Sequence, residues 1–256
     1  MRIVSWNVNS IRARLPRVLD WLEEWKPDVL CVQETKVLDG HFPREEFEAR
    51  GYHLEVFGQK TYNGVALIGR QAPDEVVRGL PDDSEEADKR LIGGRYGELW
   101  IWNAYVPNGT ELGTPRFDYK LEWFRRMRAL LERRHHPGDQ VMICGDFNVA
   151  PDDRDVYDPK KWRGRLHFHP DEHAVLAHLM EWGLVDALRT QTEEGGIYSW
   201  WDYRSGAFHR GWGLRIDLAL VTPALAARID AVRIDREARK GPKPSDHAPV
   251  IVDLTP

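Results

Sequence analysis

Cysteine is scarce. Cys31 and Cys144 are the only two in 256 residues, and each sits in an apolar run, VLCVQ and VMICGD. Two such thiols make no disulfide framework, so buried free thiols in a reducing cytosol are expected. Long apolar runs are also missing. None approaches the roughly 18 residues of a membrane-spanning helix. The opening MRIVSWNVNS has no signal-peptide pattern, so a cytoplasmic protein without a membrane partner is expected. Positive charge is not in excess: 36 Lys and Arg against 41 Asp and Glu leave a net charge of -5. That is not the balance of a small basic DNA-binding domain, and any nucleic-acid contact would have to rest on local charge. No repeat and no Gly/Ser linker divides the chain.

What is present fits a folded α/β protein. The chain is 42% hydrophobic and 30% charged, and a chain of this size can bury roughly three quarters of its unfolded surface. Apolar runs rich in Val, Ile, Trp and Tyr predict strands at Arg2–Trp6, Asp28–Gln33, Tyr52–Phe57, Gly64–Gly69, Leu99–Val106, Gln140–Cys144, Leu214–Thr222 and Pro249–Leu254. Helical spacing predicts helices over Ser10–Trp25, Pro115–Arg134 and Asp171–Trp182, with Gly183 stopping the last. Pro16 suits a first helical turn better than a middle. Strands outnumber helices, and the helices are scattered between them. The expectation is one domain over 1–256, two packed sheets with helices outside.

Isolated polar residues interrupt the apolar runs. Asn7 follows IVSW, Glu34 follows VLCVQ, Asp146 and Asn148 follow VMICG, Asp217 lies inside LRIDLAL, and Asp246 and His247 precede APVIVDL. Taken singly, each reads as a turn or surface residue. Together they offer hard oxygen donors and an imidazole without thiolate, a set suited to Mg²⁺ or Mn²⁺ rather than structural zinc. The pairs His135–His136 and His167–His169 lack such company and are expected at the surface. The acidic stretch Asp82–Asp88 is expected to be a surface loop. The basic run 116–134 reads equally well as a solvated helix face.

The segments WNVNSIR (Trp6–Arg12), QETK (Gln33–Lys36), YVPNG (Tyr105–Gly109), GDFNVAP (Gly145–Pro151), SWWDYR (Ser199–Arg204), LRIDL (Leu214–Leu218) and SDHAP (Ser245–Pro249) occur in this order. In that order they resemble the exonuclease III family of apurinic/apyrimidinic (AP) endonucleases across essentially the whole chain. The resemblance implies a four-layered α/β/β/α sandwich of two packed mixed sheets. It implies Mg²⁺-dependent hydrolysis, with Mn²⁺ as a substitute, of double-stranded DNA 5′ to abasic sites, leaving a 3′-OH. It also implies 3′–5′ exonuclease and 3′-phosphatase action on blocked 3′ ends, by a monomer.

Roles follow from the same resemblance. Glu34 holds the metal, with Asn7 and Asp246 completing its shell. Asp146 orients or deprotonates the attacking water, helped by Asn148. His247 contacts the phosphate and is oriented by Asp217. Tyr105 and Asn108 contact the phosphate or its neighbour. In a second assignment His247 is the base and Asp146 a metal ligand, and Asp146, Asn148 and His247 then form a second metal site. Trp200 and Leu214, with Ile216, are expected to wall a pocket for a base-free sugar, while Trp201 reads as core and Trp212 as a loop aromatic. The loop Gly109–Pro115 carries no basic residue, so Arg116 and Lys120 are expected to supply phosphate contacts instead, and Asp82–Asp88 to point away from DNA. Phosphodiesterases of the same fold acting on phosphoinositides or sphingomyelin, and a non-catalytic DNA-binding module, are the competing readings.

Overall fold

Alternation along the strands sorts the apolar side chains into three layers. In the strand Arg2–Asn7, Ile3 joins one cluster while Val4 and Trp6 join another. In Gln140–Asp146, Met142 and Cys144 face one way, and Val141 and Ile143 the other. Period-2 side chains with both faces buried require a layer above and a layer below each sheet. The computed structural model describes residues 1–255 and supplies those layers.

The strands are β1 (Arg2–Asn7), β2 (Val29–Gln33), β3 (His53–Phe57), β4 (Val65–Gly69), β5 (Glu75–Arg78), β6 (Leu91–Tyr96), β7 (Leu99–Tyr105), β8 (Gln140–Asp146), β9 (Val185–Asp186), β10 (Asp217–Val221), β11 (Ile229–Ile234) and β12 (Val250–Leu254). The helices are α1 (Ile11–Trp25), α2 (Arg44–Glu48), α3 (Pro115–Arg134), α4 (Pro159–Trp162), α5 (Pro170–Met180), α6 (Ala207–Arg210) and α7 (Pro223–Ala226). One sheet runs β11-β12-β1-β2-β4-β3 and the other β5-β6-β7-β8-β10-β9. Each is mixed, with one central parallel pair, β1 with β2 and β7 with β8. Ile3, Cys31 and Leu67 meet Ile101, Met142 and Cys144 between the sheets. Helices α1 and α2 cover one outer face, and α3 and α5 the other. The expected four-layered sandwich is the fold observed.

The parallel pairs matter because a parallel connection brings both carboxyl ends to one edge. Asn7 stands opposite Gln33, and Tyr105 opposite Asp146. A buried polar tie holds the two edges together. Gln33 donates to the Asn103 side chain at 2.7 Å and to Ser5 at 3.0 Å, while Asn103 donates to the carbonyls of Val32 and Ala66. Gly145, with φ 148°, lets the chain pass close to β7: a Cβ there would lie 1.8 Å from the Ala104 carbonyl oxygen.

All eight expected strands form. Four more, β5, β6, β9 and β11, carry weaker signals. In β6, Gly93 and Gly94 break the apolar pattern, yet a Cβ on Gly93 would meet the Trp102 ring at 2.6 Å. Tertiary packing against Trp102 selects glycine there, against strand propensity. Helix α1 starts at Ile11, capped by Ser10, so Pro16 falls in its second turn. Pro16 and Arg12 are both exposed, and water can take the carbonyl that Pro16 leaves without a donor. The strand expected over Leu214–Thr222 begins only at Asp217, because Leu214 leaves the sheet and bridges Trp200 and Val156 instead.

Candidate active site

The site lies where the two parallel pairs end. Asn7 ends β1, Glu34 follows β2, Tyr105 ends β7, Asp146 ends β8, Asp217 begins β10, and His247 lies just before β12. Glu34 and Asn148 sit in the left-handed region at φ 53°. Such conformations are costly for residues with a Cβ and concentrate at functional sites.

His247 is the hub. Its Nδ1 lies 2.8 Å and 3.1 Å from the two Asp217 carboxylate oxygens, so Nδ1 carries the hydrogen and Nε2 is aimed elsewhere. Nε2 is 3.7 Å from Asp146 Oδ2. Ser199 holds Asp217 in turn: its hydroxyl donates to Oδ2 at 2.6 Å and accepts the Asp217 N–H at 3.0 Å. Burial pulls the His247 pKa down, but the carboxylates of Asp217 and Asp146 outweigh it and carry it to about 10. Burial pushes Asp146 up to about 7; Asp217 and Glu34 add to the rise, and His247 opposes it. Tyr105 is raised well above the ordinary phenol value by burial and by the charges of Glu34 and Asp146, so it remains a donor.

Oxygen and nitrogen atoms of Glu34, Asp146 and His247 lie within 4.8 Å of one another, close enough to share one cation. Asn7 joins the two carboxylates as a donor, reaching Glu34 Oε1 at 2.8 Å and Asp146 Oδ2 at 3.0 Å. Its side-chain oxygen accepts the Asn9 N–H and keeps a second lone pair, so Asn7 both positions the two carboxylates and can offer an oxygen to the ion. Asp246 stands beside the group. It accepts from Asn9 at 2.9 Å and from the Trp200 indole at 3.1 Å. Burial works against its charge, yet His247 and these two donors hold its pKa below the usual value. Asn148 accepts from Asn108 at 3.0 Å and donates to the Val106 carbonyl, and its N–H caps Asp146 Oδ1.

Several sequence expectations need correction. Leu214 is 0% exposed and Ile216 is buried with it among Ala150, Val156 and Phe168, so neither can face a substrate. Trp200 does line the site, paired with Leu214 side by side and not across a pocket. Lys120 cannot reach a phosphate. It is fully buried, paired with Glu172, and donates to the carbonyls of Asn108 and Asn148. His135 and His167 are not free surface residues. His135 is buried and accepts the Trp102 indole N–H. His167, at φ 73°, lies half-buried in the site. Its Nδ1 is 2.6 Å from the Asn148 carbonyl, and its ring centroid is 6.3 Å from that of Trp200. Burial, reinforced by Lys120, lowers its pKa to about 3, leaving it neutral. The acidic stretch does not simply point away. Asp83 and Asp82 pair with Arg126 and Arg133 of α3, and Asp88 lines a groove of about 550 Å³ beside Tyr105, Asn108 and Arg116.

Some functional residues carried no role in the sequence reading. Lys36 pairs with Glu34 Oε2 at 2.7 Å and donates to Asn9 Oδ1 at 2.7 Å, so the Asn9 side chain links Lys36 to Asp246. Lys36, Asn9 and Ser199 all lie inside the segments quoted above. Only the folded chain shows what they touch.

Comparison with known proteins agrees with this geometry. The model of the Endonuclease/Exonuclease/phosphatase family matches residues 4–247. The exodeoxyribonuclease III of Haemophilus influenzae is 37% identical over 262 residues, covering 98% of both chains. The 3′ phosphatase NExo from Neisseria, solved with a product DNA hairpin, superposes with a TM-score of 0.95 at 41% identity, over 100% of this chain and 99% of that one. An AP endonuclease from Archaeoglobus fulgidus gives a TM-score of 0.95 at 39% identity, over 99% of each.

Proposed function

Because this chain belongs to the Endonuclease/Exonuclease/phosphatase family, we propose that its site hydrolyses phosphate esters of DNA with a divalent metal ion, Mg²⁺ in the cell with Mn²⁺ as a substitute. The chain is a hydrolytic nuclease of the exodeoxyribonuclease III and AP endonuclease type. The observation that carries the metal assignment is the convergence of the Glu34 and Asp146 carboxylates, hard oxygen donors that lie within 4.8 Å of each other and of a His247 ring nitrogen. The protonated His247 stands beside the ion and is not its ligand. When bound, the ion would polarise a phosphate oxygen and stabilise the leaving 3′ oxygen.

The protein's own groups take complementary parts. Asp217 holds the imidazole so that Nε2–H faces the site, and a pKa of about 10 keeps His247 protonated as a donor to a phosphate oxygen. Asp146, its Oδ1 capped by the Asn148 N–H and its Oδ2 3.7 Å from His247 Nε2, is placed to take a proton from water. This favours Asp146 over His247 as the base. Tyr105 donates its phenol hydrogen, and Asn148 aligns Asp146 through its N–H. Asn108 and Trp200 flank the site. The reading extends to duplex DNA with abasic sites or blocked 3′ ends. It also includes a monomer, since every group named comes from one chain, and a cytoplasmic setting, which suits two buried free thiols. No helix among the described residues is long and apolar enough to cross a membrane. Phospholipid substrates lose ground because the relatives at 37–41% identity are nucleases or a DNA 3′ phosphatase.

One observation favours a second emphasis. His167 packs beside Trp200, and Leu214 is buried, so the space expected for a flipped abasic sugar is partly filled. A terminal 3′ phosphate needs no such pocket. The test uses three duplexes: one abasic site, a nick with a 3′ phosphate, and a recessed 3′ end. All hydrolysis should require Mg²⁺ and vanish in EDTA. Removal of the 3′ phosphate should outpace incision at the abasic site, and His167→Ala should narrow that gap. Full activity in EDTA would sink the metal reading, and an unmoved ratio would remove His167 from substrate selection.

A further inference from the structure

Away from the reacting groups, a half-exposed aromatic pair carries unneutralised cations. Tyr157 and Trp212 stack with ring centroids 5.8 Å apart and planes 16° apart. The Arg210 guanidinium lies 4.5 Å from the centre of the Trp212 ring, and the Lys161 ammonium lies 5.7 Å and 5.8 Å from the Tyr157 and Trp212 rings. Lys161 also donates to the Tyr157 hydroxyl at 3.2 Å. Five of the six arginines of α3 differ: Arg125, Arg126, Arg128, Arg133 and Arg134 have carboxylate partners, and Arg116 has none among the described residues. Among the described residues, Lys161 and Arg210 form no ion pair. Neither do Lys160 and Arg165 on the same stretch. The nearby Asp158 caps the Lys161 N–H.

The pair is held in place by backbone. The Tyr157 N–H donates to the Gly213 carbonyl at 3.1 Å, and the Trp212 N–H donates to Ala207 at 2.9 Å. A Cβ on Gly213 would meet Trp201 Nε1 at 2.5 Å and Tyr198 at 2.6 Å, so this turn cannot drift. The segments next to it run in the order His247, Trp200, Leu214 and Val156. At strand spacing, that puts the platform roughly 10 Å beyond Trp200.

The geometry points to a second nucleic-acid contact: Tyr157, Trp212, Lys161 and Arg210 form a stacking platform for the unpaired complementary strand that runs on past a recessed 3′ end. This rests on the nuclease reading above. Aromatic faces accept any base, and cations without partners track a phosphate backbone, the combination that binds single strands without sequence preference. Tyr157 and Trp212 together supply the aromatic surface, and a base stacks on Trp212 as the exposed Arg210 side chain moves off the ring to a phosphate. Arg210 and Lys161 supply the charge. A duplex end held at Asp146 and His247 would present its partner strand to this surface.

The test measures binding by fluorescence anisotropy, in EDTA so that no DNA is cut. A blunt duplex is compared with the same duplex carrying a ten-nucleotide 5′ overhang. The wild-type protein should bind the overhang form at least about fivefold more tightly, the effect of one good stacking contact. Trp212→Ala should erase that advantage and leave blunt-duplex affinity unchanged. Arg210→Gln, at an exposed position, should reduce it in a salt-dependent way. Equal affinity of the wild type for both DNAs would overturn the platform alone. An advantage that survives Trp212→Ala, or a mutant that changes only in melting temperature, would overturn it too. Failure to bind either DNA would overturn the nuclease reading with it.

Discussion

Two buried ionic clusters meet within two residues of the chain, at Arg215 just before β10 and at Asp217 where β10 begins, and they differ. Arg215 belongs to the first. It grips Asp155 through two contacts of 2.6 Å and 3.0 Å and pairs with Asp186 at 2.7 Å, while Arg189 takes Asp155 at 2.5 Å. Two carboxylates meet two guanidinium groups, and the charges close. Asp217 belongs to the second. There, among the described residues, the ion pairs of Glu34, Asp146, Asp217 and Asp246 come from His247 and Lys36 alone. Both clusters are largely dry, so the difference is one of balance. A closed set needs nothing more and serves the fold. A set short of positive charge shifts the pKa values of its members and leaves room for a cation and a phosphate.

The largest expected effect is at Asp146. Asp146→Asn keeps the shape and removes the charge, and the single-turnover rate should fall by roughly 100-fold or more, the scale of a positioned base. DNA affinity should hold or rise, as a negative charge near phosphate is gone. A loss below about threefold would take Asp146 out of that role.

In the closed cluster the expected loss is of stability. Asp155→Asn leaves Arg189 without its charge partner and Arg215 with Asp186 alone, so two buried guanidinium groups share one carboxylate, a change that costs about 3–5 kcal/mol. Urea unfolding measures it. A normal midpoint would mean that the arginines had found other partners and that the contrast between the clusters is overstated.

Asp217 tests how the open cluster is wired. Asp217→Asn should slow the reaction about 10- to 100-fold, as loss of an orienting partner does. It should also lower the His247 pKa from about 10, visible as a shift in the pH profile. The double mutant with His247→Ala should be no worse than His247→Ala alone, and additive losses would show that the two act separately.

The smallest effect lies at His135, outside both clusters. Burial, with help from Arg134, lowers its pKa to about 4 from an unfolded value near 6.5. The folded state therefore favours the neutral ring. Its contribution is complete above pH 6.5 and is lost as the pH falls towards 4, because the unfolded chain takes up the proton first. His135→Gln, which keeps an acceptor for Trp102, should lose less stability between pH 7 and pH 5 than the wild type. Equal losses would show that His135 does not set this dependence.

Much of the fold was legible in sequence because strands buried on both faces read as apolar runs. The polar residues ending those runs marked the site for the same reason: a carboxylate beside a buried strand requires a purpose. What was missed had weak local signals. β6 carries two glycines that only packing explains, Gly93 against Trp102 and Gly94 against Leu67. Lys120 looked like a surface cation on a basic helix, and its burial depends on Glu172 arriving from α5, which lies 52 residues away. His167 looked isolated because its partners Asn148 and Trp200 come from other segments.

The sequence by itself determined the layered α/β class, the order of the polar strand ends, and the hard-donor character of the set that includes Glu34, Asp146, Asp217 and His247. These depend on residue type and on periodicity of two, which act within a few residues. The tertiary structure alone decided the rest. It chose which carboxylate shares the imidazole, which lysine is sealed in the core, that Leu214 faces inward, and that Trp212 meets Tyr157. Those outcomes depend on distances between segments far apart in the chain, set by how two sheets and their helices pack.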